Sequence, residues 1–374
     1  MAFVPLVPIG DSLSKLADER TVADQRAALA EHDPARVLGR LEAMARDAAV
    51  RAALLCKTDL LGEMIGSGKE YASLEGVMGG HYARRAGESD AVAAAISEHY
   101  SPRGASDQVP FSAAGALLSL ADKLDHVAGA FVAGKTPSGS EDPYGVRRAA
   151  NGAVRIVIER GWALDLRAAA MEITRPFFAG DPELPQAEIM KKLGDFLRSR
   201  VDTALEDRGL AYDMRDAALE ARILMGGVPR PGWCDATDAL ARARALEAFR
   251  GDPRFAPLVV LFKRVSNILK AATDPLPPAL DTARLAESHE QALLAATELA
   301  RVRTAALWDK RDYAAILPEL LGMGDAIHGF FDHVMVNVDD VLVRQNRLRL
   351  LADVRELFLR GWDLSKAVVE GDKG

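Results

Sequence analysis

The chain has 374 residues, of which 49% are hydrophobic and 6% aromatic, with two cysteines and a formal net charge of −7. That length holds two or three ordinary domains, and the alanine- and leucine-rich composition favours helix over sheet. The acidic balance excludes a protein that coats nucleic acid by charge alone, and no uncharged apolar run reaches the roughly 18 residues of a membrane span. A local basic face is still allowed, because charges act over a screening length of about 8–10 Å. The start, Met1-Ala2-Phe3-Val4-Pro5, lacks the basic region of a signal peptide. Cys56 and Cys234 have no metal-site spacing and fit a reducing, cytoplasmic setting.

In chain order, residues 1–35 read as a leader with one helix over roughly Ser12 to His32. From Pro34 to Leu61 apolar residues recur at helical spacing (Val37, Leu41, Met44, Ala48, Ala52, Leu55). A glycine-rich passage follows, with a turn at Gly66-Ser67-Gly68-Lys69 and close packing expected over Gly76 to Gly80. Its spacing is wrong for a phosphate-binding P-loop. Helices resume over Ser89–Tyr100 and Ser112–Ala133, then a loop thick with turn residues runs from Gly134 to Pro143. Tyr144–Arg160 reads as a helix carrying Arg147 and Arg148, with Asp142 as its N-cap and Pro143 in its first turn.

Beyond Asp165 further helices are interrupted at Pro176, at Gly180-Asp181-Pro182 and at Val228-Pro229-Arg230-Pro231-Gly232, the last a linker candidate. The helical pattern returns from Ala239, breaks at Asp274 to Pro278, and continues over Thr282–Trp308, Tyr313–Gly322 and Asp340–Trp362. No fixed-period repeat and no strand-like alternation is visible, so the fold class is all-α.

Chemistry-bearing side chains gather first between residues 56 and 126: Asp59, His81, His99, Asp122, Asp125 and His126. Imidazoles and carboxylates converging in a helical domain resemble the metal-dependent phosphohydrolases called HD domains, whose metal activates a bound water. Ala121-Asp122-Lys123-Leu124-Asp125 resembles the closing aspartate motif of that fold. The paired His-Asp that names it is missing: Cys56-Lys57-Thr58-Asp59 stands there, with Lys57 bringing a cation. Asp59, His81, His99 and Asp122 therefore read as a degenerate site, with no metal expected.

The same residues read better as a family signature. Cys56-Lys57-Thr58-Asp59-Leu60, Leu74-Glu75-Gly76-Val77-Met78-Gly79, His81-Tyr82-Ala83-Arg84, Gly87-Glu88 and Glu98-His99-Tyr100 fall in an order similar to that of the β subunit of the two-subunit bacterial glycyl-tRNA synthetase. So do Ala121 to Asp125, Asp142 to Ala150, Lys263 to Lys270, and Phe330 to Asp340 with Arg344 to Leu348. The last stretch resembles the terminal signature of DALR-like anticodon-binding domains. Together these motifs cover about residues 45–365.

That resemblance implies four segments: a leader helix (1–35), a degenerate HD-like helical domain (36–165), a helical body or linker (166–238) and a helical anticodon-binding bundle (239–374). The family's β subunit is usually longer, so the chain is expected to be a C-terminal portion, the product of a split gene or a shortened relative with its own start. The expected partners are a glycine tRNA and a separate α subunit, with neither membrane nor DNA. Glycine activation with ATP and Mg is expected on that α subunit, with no cofactor and no catalytic residue on this chain.

Expected tRNA contacts are Lys263, Arg264, Asn267 and Lys270 on one helix face, Arg344 and Arg347 as a second basic row, and Arg147 with Arg148. Cations would hold phosphates and Asn267 would meet a base edge. Phe330, Phe331 and Phe358 are expected in the core, not as base platforms. Two other readings stand beside this one: an HD-type phosphohydrolase acting on nucleotides, and a helical partner-binding module without RNA contact.

Overall fold

A computed structural model describes residues 7–8, 34–66, 69–137, 142–273 and 275–369. The leader helix expected over Ser12 to His32 lies outside the described residues, as do parts of the two glycine-rich turns. The chain divides into two compact units, 1–204 and 205–374.

The first unit is built on α1 (Pro34–Leu55), α2 (Val77–Arg85), α3 (Asp90–Glu98), α4 (Ala113–Val132), α5 (Val146–Arg160) and α6 (Leu166–Gly180). The helix α7 (Gln186–Glu206) closes it. Helix α4 packs against α1, α3, α5 and α6. Its composition explains why: Ala114, Gly115, Ala116, Ala128 and neighbouring Leu118, Leu124 and Phe131 are buried, and small side chains let helix axes approach closely. Alanines dominate the cluster beneath α1 and α3 as well, with Ala48, Ala49, Ala52, Ala93 and Ala95 packed around Ile96 and Leu118.

Local hydrogen bonds set the helix starts. Ser89, Ser112 and Asp165 each accept from a backbone N–H in the first turn, at Val92, Gly115 and Ala168. At the end of α5, Gly161 adopts φ 65°, and its N–H caps the carbonyls of Val157 and Ile158. The interruption expected at Pro176 is absent: α6 continues through it to Gly180. A proline that close to the end removes one backbone donor without stopping the helix.

The second unit contains α8 (Tyr212–Leu219), α9 (Ala236–Ala248), α10 (Phe255–Ala271), α11 (Ser288–Asp309), α12 (Tyr313–Leu321), α13 (Gly324–His333) and α14 (Val341–Leu359). Helix α14 packs on α10 and α11, while α11 packs on α12 and α13. Phe262 and Phe358 meet edge to face at 5.6 Å, and Phe330, Phe358 and Trp362 are fully buried, as expected of core aromatics. Arg242 is buried too, donating to Asp238 Oδ2 (3.0 Å) and to the carbonyls of Ala218 and Gly232.

The architecture is helical apart from two short strand pairs among the described residues. Val7–Pro8 (β1) pairs antiparallel with Trp162–Ala163 (β2), and Arg222–Met225 (β3) pairs with Val228–Pro231 (β4). The expected linker at Val228 to Gly232 is thus half of a β-hairpin. Gly226 and Gly227, with φ 56° and 79°, form its two-residue turn, a conformation open to glycine without strain.

Candidate functional site

The residues expected to form a degenerate HD-like site gather in part around a lysine. His99 is fully buried; its Nδ1–H donates to the Ile96 carbonyl at 2.6 Å, which leaves Nε2 as a bare acceptor. Lys57 Nζ lies 3.0 Å from that Nε2, 3.1 Å from Asp122 Oδ1 and 4.0 Å from the centre of the Tyr100 ring. Burial drives the His99 pKa down to about 4, assisted by the Lys57 charge, so the imidazole is neutral at pH 7. Burial opposes the Lys57 charge as well, but Asp122 and Tyr100 outweigh it and raise the lysine's pKa.

An ammonium therefore occupies the space between an imidazole and a carboxylate that a metal ligand set would need. Among the described residues no group of three or more His, Cys, Asp or Glu could hold a metal ion. Asp59 is fully buried and serves the backbone: its Oδ2 accepts from Gly76 N at 2.7 Å and Gly79 N at 3.2 Å, pinning the turn into α2. His81, expected in the same degenerate site, is exposed on α2 and apart from this cluster. Of the neighbouring pair, Asp125 and His126 are exposed, with His126 Nε2 2.8 Å from the Tyr144 carbonyl oxygen.

The second candidate is the outer face of α10. Arg264, Asn267 and Lys270 are exposed and Lys263 is half-buried, while Val265 and Ser266 point inward. At a spacing of three and four residues, Lys263, Asn267 and Lys270 line one ridge. Arg264 lies over the Phe331 ring, 4.3 Å from its centre, which fixes the guanidinium without neutralising it. Arg355 of α14 adds a cation beside this ridge, with Nε 3.3 Å from Ser266 Oγ. Sequence reasoning missed Arg355, because only the packing of α14 on α10 brings it there.

The second basic row does not form as expected. Arg344 is half-buried, with Nη1 donating to the Val338 carbonyl. Arg347 is 6% exposed and fully engaged: Nε donates to Glu290 Oε1 at 2.6 Å, Nη1 to the Met335 carbonyl, and Nη2 to Glu287. Its guanidinium ties α14 to the start of α11 and to the loop after α13, so no group on it is left for a phosphate.

Arg147 and Arg148 begin α5. The helix starts at Val146, two residues later than expected, after Gly145 in the left-handed region (φ 68°). Asp142 nevertheless caps it, with Oδ2 accepting from Arg147 N at 3.0 Å and Arg148 N at 3.3 Å. The Arg147 side chain is half-buried and that of Arg148 exposed. Burial and then the nearby Arg147 charge lower the pKa of Arg200, so two like charges stand close at this point.

A helical first unit with the Lys57 ammonium between His99 and Asp122, and a helical second unit with cations along the outer face of α10, define a predominantly helical class of protein. Residues 13–220 match the family described as "Glycyl-tRNA synthetase beta subunit", and residues 260–365 match the "DALR anticodon binding domain". The chain belongs to the glycyl-tRNA synthetase beta subunit family. It is 39% identical over 317 residues to the glycine–tRNA ligase beta subunit of Pseudomonas aeruginosa strain UCBPP-PA14, covering 85% of this chain and 44% of that one. With the beta subunit of Desulforamulus reducens it shares 37% identity over 362 residues, 96% of this chain and 49% of the relative. With that of Leptothrix cholodnii it shares 39% over 317 residues, 84% and 42% of the two chains. The chain spans about half the length of the curated relatives it matches.

Proposed function

We propose that this chain is a tRNA-binding, non-catalytic component of glycine–tRNA ligase, which acts in the cytoplasm. It holds a glycine tRNA while glycine activation with ATP and Mg, and transfer to the tRNA, run on a separate α subunit. The observation that carries this reading is the α10 ridge: Lys263, Arg264, Asn267 and Lys270 stand outward on a helix whose opposite side is core, inside the stretch similar to the anticodon-binding domain. Unpaired anticodon bases are read on their edges while cations grip the phosphates between them, and this ridge supplies both an amide and cations. Arg148 and Arg344 remain secondary contacts in this reading, and Arg347 supports the fold beneath. The hydrolase alternative is not favoured, because the Lys57 ammonium fills the place where its metal would act.

The test is filter binding of the full chain to a glycine tRNA at several salt concentrations. Replacing Lys263→Ala together with Lys270→Ala should weaken binding by roughly tenfold and flatten its salt dependence. Parental affinity in that double variant would remove α10 from the interface.

A further inference from the structure

The β3–β4 hairpin lies in residues 221–259, the stretch between the two family matches, so neither similarity accounts for it. It is firmly based: Ile223 is 6% exposed, and Gly232 N donates to the Ala221 carbonyl at 2.8 Å. Directly paired residues share a face of a sheet. Ile223 pairs with Arg230 on the inner face, and Leu224 pairs with Pro229 on the outer one beside Arg222 and Pro231. The outer face and tip stay in solvent, with Leu224 58% and Val228 44% exposed. Pro229 and Pro231 remove two N–H donors from β4, which blunts that edge against addition of a further strand. What remains for recognition is an apolar outer face, Leu224 and Pro229, beside Arg222.

Two neighbouring side chains of α14 lie between the hairpin and α10. Arg222 Nη1 lies 2.8 Å from Glu356 Oε1 on α14, an exposed pair that a phosphate can exchange at little cost. The preceding residue on α14, Arg355, reaches Ser266 on α10. Ser266 sits one turn from both Lys263 and Lys270. Arg222 and Arg355 are thus linked through α14 to the helix that carries Lys263 and Lys270, with Glu356 paired to Arg222, in a chain whose overall charge is −7. Such cations are complementary to a polyanion, and an apolar face beside them suits the face of an unstacked base.

We infer that the hairpin is a second RNA contact. Leu224 and Pro229 pack against an exposed base, and Arg222 holds a flanking phosphate of a strand that runs on to α10. This inference rests on the tRNA-binding reading above. The test compares three variants of the full chain against the parent: Leu224→Ser (the tip variant), Arg222→Ala (the stem variant), and Lys263→Ala with Lys270→Ala (the α10 variant). Each is checked for parental helicity, then measured for affinity to glycine tRNA at several salt concentrations and by chemical footprinting of the RNA.

The tip variant should bind about 5–10-fold more weakly with an unchanged salt slope, and should expose a short patch of nucleotides that the parent protects. The stem variant should lose affinity and salt slope together. If the tip and stem variants bind and footprint like the parent while the α10 variant is weakened, the hairpin is no RNA contact and the tRNA reading stands. If the parent itself does not bind the tRNA, both fall. Loss of a co-purifying α subunit from the tip variant, with the footprint intact, would make this face a protein contact and overturn the inference.

Discussion

Arg347 and Arg344 lie one turn apart on α14, and their environments separate two roles that their residue type cannot. Arg347 is enclosed by Glu287, Glu290 and the Met335 carbonyl, so truncation would leave Glu290, itself fully buried, without its partner. Removing one member of such a pair costs about 3–5 kcal/mol, and Arg347→Ala should lower the denaturant midpoint accordingly. Arg347→Lys should recover only part of the loss, since an ammonium cannot reproduce the planar fork. Full stability in Arg347→Ala would contradict the buried network. His99 gives a pH signature. Its pKa falls from 6.5 to about 4 on folding, chiefly by burial, so the unfolded chain binds the proton more readily. The contribution is complete above pH 6.5 and is lost as the pH drops toward 4, with a span on the order of 3 kcal/mol. His99→Gln should flatten the acid limb of stability against pH over that window; parallel curves for variant and parent would assign the acid sensitivity to other groups.

At the scale of elements, α2 and α3 owe their closeness to glycine. A Cβ on Gly80 would come 2.7 Å from the Ala93 carbonyl oxygen and would also strike Ser97 Oγ, so the helices must part to admit it. Gly80→Ala should therefore destabilise by about 1–3 kcal/mol despite the better helix propensity of alanine, read as a lower thermal midpoint. An unchanged midpoint would mean the two helices can shift without cost. Close packing over Gly76 to Gly80 is legible because Gly76, Gly79 and Gly80, three glycines within five residues beside a helix, leave room for a close neighbour. Helix starts at Ser89, Ser112, Asp165 and Asp340 were legible too, since a cap is a contact made within three residues. Gly226-Gly227 is a local hairpin signal, but the prolines of β4 masked it as a linker. Lys57 looked like an intruder in a metal site until His99 and Asp122, 42 and 65 positions away, were seen to close on its ammonium. The exposed ridge of α10 followed from periodicity alone, whereas the burial of Arg347 depends on acids on another helix.

For the whole molecule, net charge and binding charge are different quantities. The chain carries −7, yet Lys263, Arg264 and Lys270 stand together on α10, with Arg355 of α14 beside them. Distant acids are screened beyond about 8–10 Å at ordinary ionic strength, so an RNA strand on this ridge responds to the local cations and not to the global excess. Association should consequently weaken with salt as it would for a small basic protein. For about three phosphate contacts to single-stranded RNA, the slope of log affinity against log salt should be about −2. Neutralising acids far from the ridge should move that slope little, whereas each cation removed from α10 should reduce its magnitude by about 0.7. A slope near zero, or one that tracks net charge across a series of distant acid-to-amide variants, would show that the ridge does not carry the binding. Titration of glycine tRNA over a fourfold range of salt distinguishes these outcomes without any change to the fold.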